Sequence, residues 1–263
     1  MNEPSASNTD VLNTEAVHDI EALEKAYVKG TGGLPLPEVW RTVLEFAPEF
    51  FSYILFSHSY PWEKGSLSPK EKEFICIGVN AAVSTQSVEG LRIHIPRALD
   101  LGATKEEILT VLHIASGMGI HTYTEVAPHL MQICAERNLL DPDTEAAFEA
   151  HVDTFMPKDS PTRAPMEAVL RMDPEFCLET LRRYVELSHN GALSNRMREL
   201  IIVAYDSSCT HMLAYGAANH IRRALDAGAT PQDIVETLIL TASIAQQSLA
   251  VGVPILIEAL AAR

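Results

Sequence analysis

Apolar residues recur along this chain at helical spacing, and no stretch alternates convincingly as a strand would. The helix boundaries are written in local chemistry. Ser68-Pro69-Lys70-Glu71 offers an N-cap, a proline at the first helical position and a capping-box glutamate. Thr104-Lys105-Glu106-Glu107 repeats the box, and Thr230-Pro231 opens an equivalent helix later in the chain. Ala47-Pro48 and Asp173-Pro174 start earlier helices in the same way. Gly102 and Gly228 stand where a left-handed residue would end the preceding helix. The pattern predicts an all-α fold.

The same signals occur twice. Sliding the sequence by 126 residues superposes two halves without a gap: Pro48-Glu49-Phe50 on Pro174-Glu175-Phe176, Glu73 on Glu199, and His94-Ile95 on His220-Ile221. Arg97-Ala98-Leu99-Asp100 then falls on Arg223-Ala224-Leu225-Asp226, and Gly102-Ala103-Thr104 on Gly228-Ala229-Thr230. A gapless offset of this length marks duplication of one supersecondary unit. The expected organisation is a disordered N-terminus over 1–15, a first repeat over 16–130, a helical linker over 131–160 and a second repeat over 161–263.

The 20 basic and 35 acidic residues leave a net charge of −15, which argues against nucleic acid or an anionic membrane surface as a partner. The longest apolar stretch, Ile234 to Leu260, is interrupted by Glu236, Gln246, Gln247 and Pro254 and reads as core helices. The N-terminus lacks the basic-then-apolar pattern of a secretory signal, so a cytoplasmic location is expected. The four cysteines are widely spaced, and no His/Cys spacing matches a standard ligand pattern. No metal and no cofactor is therefore expected. No nucleotide-binding glycine motif or nucleophile elbow is present either.

Candidate chemistry lies on the repeated helices. Glu73 and Glu199 each enter a helix whose next residues are almost wholly apolar, where a carboxylate must be paired or titrate abnormally. The alternative is a solvated first-turn glutamate on the helix dipole. His94 and His220 fall at the border of apolar helix faces, where a structural role competes with a catalytic one. The second repeat adds Cys209, His211 and Tyr215 where the first has Val83, Thr85 and Glu89.

Leu67 to Ile75, Glu89 to His94 and Ala98 to Ile108, repeated from Leu193 to Ile234, resemble the carboxymuconolactone decarboxylase family. The resemblance covers roughly 35–130 and 160–260. It implies an all-helical fold, assembly as trimers or hexamers, and sites near repeat or subunit interfaces. For a duplicated chain that means a homotrimer imitating a hexamer. The related alkylhydroperoxidase D branch uses a C-x-x-C pair, but Leu213 and Gly216 stand where those cysteines would fall, and Cys209 has Met212 three residues on. The resemblance thus points to the cofactor-free lyase side.

The resulting expectation is a lyase or decarboxylase of organic-acid catabolism, acting on a small carboxylate, lactone or keto acid by His/Glu acid–base catalysis. His220 would be the acid–base group, and Glu199 would set its tautomer or act as a second acid. His211 and Tyr215 would hold the oxyanion, and Cys209 completes the expected catalytic set. His94, Glu73, His121, Tyr123, Arg222 and Arg223 are the expected substrate-binding residues. A single-cysteine peroxidase or redox protein built on Cys209, and a non-catalytic binding or scaffold subunit, are the competing readings.

Overall fold

The computed structural model describes residues 19–155 and 163–263; the expected disordered segment 1–15 lies outside them. Among the described residues every regular element is helical. The first repeat holds α1 (Ile20–Gly30), α2 (Glu38–Phe46), α3 (Pro48–Lys64), α4 (Pro69–Ala81), α5 (Val88–Asp100), α6 (Lys105–Ser116) and α7 (His121–Glu136). The second holds α8 (Pro142–Phe155), α9 (Arg163–Met172), α10 (Pro174–Ser188), α11 (Asn195–Ser207), α12 (Ala214–Asp226), α13 (Pro231–Ala242) and α14 (Gln247–Ala261). Short 3-10 turns, Gly117–Ile120 and Ser243–Gln246, precede α7 and α14. The helices α4, α5 and α6 recur as α11, α12 and α13 at the offset read from the sequence. Within the expected linker, α8 occupies the place that α1 takes in the first repeat.

The boundaries form for the local reasons the sequence offers. Both predicted capping boxes are closed, and a third joins Thr230 to Asp233. Gly102 and Gly228 adopt φ of +83° and +93°. The amides of Ala103 and Ala229 bond back to Ala98 and Ala224, which ends each helix as a Schellman turn.

Helices α4 and α11 run through the central core, with Phe74, Ile75, Ile77, Leu200, Ile201 and Ala204 buried among residues of α5, α6, α12 and α13. The two copies meet about a local pseudo-twofold: Thr210 Oγ1 donates to Ser84 Oγ at 3.1 Å, and these positions are each other's counterparts. Gly78 lets the two central helices approach, since a Cβ there would lie 2.7 Å from Ile201 Cγ2. A buried ion pair, Lys72 Nζ to Glu236 Oε1 at 2.9 Å, also joins the repeats.

The last helix of each copy crosses to the other. Leu249, Ala250, Val253 and Ile257 of α14 pack on the first repeat's Trp40, Val43, Leu44 and Phe51. In the mirrored arrangement Ala127 and Met131 of α7 join Met166, Val169, Leu170 and Cys177 of the second. Full burial of one such aliphatic or aromatic side chain contributes roughly 1.5–3 kcal/mol, so the exchanged helices bind the repeats into one structure. The continuous stretch Pro231–Ala261 is long and apolar enough to cross a membrane by length and composition. Here its first half packs in the central core and its second on α2.

Candidate active site

Each repeat builds one cavity between its paired central helices and the crossing helix of the other copy. The first, about 180 Å³, is lined by Glu89, His94 and Arg97 from α5, Cys76 and Asn80 from α4, and Gln247 from α14. The second, about 250 Å³, is lined by Glu199 and Tyr205 from α11, Tyr215, His220 and Arg223 from α12, and His121 and Glu125 from α7.

A glutamate–histidine pair stands in both. Glu73 Oε2 lies 2.7 Å from His94 Nδ1, and Glu199 Oε2 lies 2.6 Å from His220 Nδ1. In each case a glutamate just past the first turn of the central helix reaches a histidine at the middle of the next helix. The solvated-glutamate alternative is thereby excluded for Glu73, which is 0% exposed.

The two pairs differ in what encloses them. In the first repeat Arg97 Nε also approaches Glu73 Oε1 at 3.3 Å. The Arg97 guanidinium stacks 3.9 Å from the Trp62 ring centroid and donates to the Thr31 carbonyl, so it is fully engaged. His58, bonded to the Tyr27 hydroxyl at 3.2 Å, closes the floor. Burial pulls the His58 imidazole down to about 4 and raises the Tyr27 phenol and the Cys76 thiol, so none of the three is charged at neutral pH. A thiol raised in this way is the opposite of an activated one. In the second repeat Ser188 replaces Trp62, Tyr184 replaces His58, and the Glu199 side chain keeps 17% exposure. Tyr184 and Tyr205 are raised by burial and stay as neutral phenols.

Beside the second pair lies a cluster absent from the first. His121 Nδ1 sits 2.8 Å from His211 Nε2, and Asp206 Oδ1 lies 3.8 Å from His121 Nε2. Burial, with the Glu125 charge behind it, pushes the Asp206 carboxyl up to about 8. Burial, joined by His211 and His220, takes His121 down to about 4, and burial lowers His211 as well.

Of the residues singled out from sequence, Glu199, His220, Tyr215, Arg223 and His121 line the second cavity, while His94 lines the first with Glu73 buried behind it. His211 touches the second through His121. Three do not line it. Tyr123 packs edge-on against Phe176 in the flanking core, Arg222 is exposed and bonds Asn219, and Cys209 is exposed on the loop before α12. Sequence reasoning missed Arg198, Tyr184, Tyr205 and Glu125, which come from α7, α10 and α11. Tyr184 carried a signal, since it is the counterpart of His58.

The carboxymuconolactone decarboxylase family profile matches residues 48–127 and 178–262, together more than half of the chain. The chain belongs to that family. It is also similar to a crystal structure from Burkholderia xenovorans LB400 described as a "putative gamma-carboxymuconolactone decarboxylase subunit". The two share 29% identity with a TM-score of 0.78, over 92% of this chain and 97% of that one. A comparison with curated proteins finds no match. Each copy matches the profile separately, in keeping with the tandem all-α architecture.

Proposed function

We propose that the chain is a lyase that works without a redox cofactor on a small carboxylated lactone or keto acid, with the second repeat's cavity as its active site. The observation that carries this reading is access. The Glu199 side chain keeps 17% exposure beside the larger of the two cavities, whereas Glu73 is sealed between His94 and Arg97; the histidines differ little, at 15% for His220 and 21% for His94. Ionised Glu199 accepts from His220 Nδ1–H and leaves Nε2 as the ring nitrogen available to substrate. Arg223 supplies positive charge for a substrate carboxylate, and Tyr215 and Tyr184 supply hydroxyls for a developing oxyanion. In decarboxylation the C–C bond to the departing CO2 breaks and its electron pair passes into the adjacent carbonyl as an enolate. His220, as imidazolium, then delivers its Nε2 proton to the carbanionic carbon and is reprotonated by water. The name of the Burkholderia relative supports the same reaction class.

The test is a panel of carboxylated lactones and β-keto acids assayed for CO2 release with wild type, His220→Ala, His94→Ala and Cys209→Ser. His220→Ala is expected to lower kcat/KM by ~10²–10⁴, with the other two close to wild type. Equal loss in His94→Ala would move the site to the first repeat. Loss confined to Cys209→Ser would replace the lyase reading with thiol chemistry.

A further inference from the structure

Asp206 is the most anomalous polar group in the fold. Its side chain is 0% exposed, and neither carboxylate oxygen has a hydrogen-bond partner. A buried ionisable group left in this state is costly unless something neutralises it. Two imidazoles face it: Oδ1 lies 3.8 Å from His121 Nε2 and 4.0 Å from His211 Nε2. One donor atom from each of the three residues falls within 4.8 Å of the others.

The first repeat is the internal control. The counterparts of Asp206, His121 and His211 are Asn80, Gln247 and Thr85. There the arrangement is closed by neutral groups, with Gln247 Nε2 donating to Asn80 Oδ1 at 3.1 Å. All three positions are thus metal-ligating types in one copy and neutral amides or a hydroxyl in the other. A purely structural hydrogen bond between the repeats needs no such concerted change, because the amide pair already provides it.

We propose that His121, Asp206 and His211 form a binding site for a divalent transition-metal ion of the zinc type, with coordination left open on the cavity side. Two imidazoles and a carboxylate are a borderline N/O donor set suited to such an ion, and three protein ligands leave a further position vacant. A tetrahedral ion with bonds of ~2.0–2.1 Å spaces its donors ~3.3 Å apart. Asp206 Oδ1 stands 3.8 and 4.0 Å from the Nε2 atoms of His121 and His211, beyond that value, and the 2.8 Å contact of His121 Nδ1 with His211 Nε2 is a hydrogen bond that the ion would replace. Seating the ion therefore requires the imidazoles to part slightly and Asp206 to close in. The ligands come from the start of α7, the end of α11 and the loop before α12, so no spacing along the chain could announce them.

The proposal is independent of the lyase reading and is tested without substrate. Chelator-stripped protein is titrated with zinc chloride by calorimetry, alongside Asp206→Asn and His211→Thr, which install the residues the first repeat already tolerates. One equivalent is expected per wild-type chain, with at least a roughly hundredfold weaker affinity in either variant, since loss of even a supporting partner costs 10–100-fold. Should a variant fail to fold, the wild-type chain still decides the matter. One equivalent of zinc should shield His211 from diethyl pyrocarbonate while the exposed His129 and His189 stay reactive. No saturable binding, wild-type binding in both variants, or unchanged His211 reactivity would overturn the site and leave only an imidazole–imidazole hydrogen bond.

Discussion

Replacing Glu236 with alanine should destabilise the whole chain, because this one carboxylate fastens the two repeats together. Its side chain is 1% exposed and that of its partner Lys72 is 4% exposed, with 2.9 Å between Nζ and Oε1. The other oxygen, Oε2, accepts from the backbone amides of Ser66 and Leu67 at 2.6 and 2.8 Å. Gly65 lies so close that a Cβ would fall 1.9 Å from Glu236 Oε1, so the backbone is moulded around the carboxylate. Breaking a buried ion pair by removing one partner costs about 3–5 kcal/mol. Each orphaned amide carries its own penalty of roughly 1–3 kcal/mol, but the terms share one site and do not add in full. An overall loss of about 4–6 kcal/mol follows, a large part of the 5–15 kcal/mol typical of a folded domain.

Glu236→Gln should cost less than Glu236→Ala, because an amide oxygen can still accept from Ser66 and Leu67. Lys72→Met combined with Glu236→Leu should recover much of the loss by removing both charges, so the cycle isolates the coupling. Urea unfolding followed by helical circular dichroism reads all of these as midpoint shifts at constant slope. The transition should remain single, since α7 and α14 are exchanged between the repeats. A Glu236→Ala loss below about 1 kcal/mol would refute the reasoning, because it would place the pair with exposed ones.

Three further outcomes follow. His58 is held down at about 4, against 6.5 when unfolded, so the unfolded chain binds more protons between those values. Stability should therefore be fully present above pH 6.5 and fall by up to about 3 kcal/mol as pH drops toward 4, and His58→Gln should flatten that part of the profile. Gly90→Ala and Gly216→Ala should each destabilise, since the added Cβ would lie 2.0 Å from Asn80 Oδ1 or 2.5 Å from Asp206 Oδ2; wild-type unfolding midpoints would contradict this. Exposed Phe50, Tyr53, Val126, Ile133, Val251 and Ile255 leave α3, α7 and α14 with apolar surface suited to self-association. Light scattering should give three copies, and a stable monomer of 28.9 kDa at micromolar concentration would refute that.

What the sequence made legible was local. Capping boxes, helix-opening prolines and the left-handed glycines are decided within a few residues, and the structure has them where they were expected. The glutamate–histidine pairs were legible as candidates because the 126-residue offset paired them across copies. Orientation was harder to see. His121 and Tyr123 are two residues apart on α7, about 200° around the helix, so one reaches the cavity and the other enters the flanking core. Arg222 and Arg223 split in the same way, with only Arg223 sharing the His220 face. The exchange of α7 and α14 left no trace in the hydrophobic pattern. An amphipathic helix shows that it has a buried face, not whose core receives it.

That exchange governs how the two sites can diverge. Because each cavity takes its far wall from the opposite copy, a change in α7 alters the second repeat's site and a change in α14 alters the first. His121 and Gln247 are therefore partners of Asp206 and Asn80 respectively, although each lies in the other half of the sequence. The neutral pair meets at hydrogen-bond distance, at 3.1 Å, and is complete as it stands. The ionisable pair stops at 3.8 Å with the carboxylate unsatisfied, and His211 occupies the position that corresponds to Thr85. Duplication supplied two equal scaffolds. The second carries, in place of that closed contact, a carboxylate with both oxygens unsatisfied beside the Glu199–His220 pair.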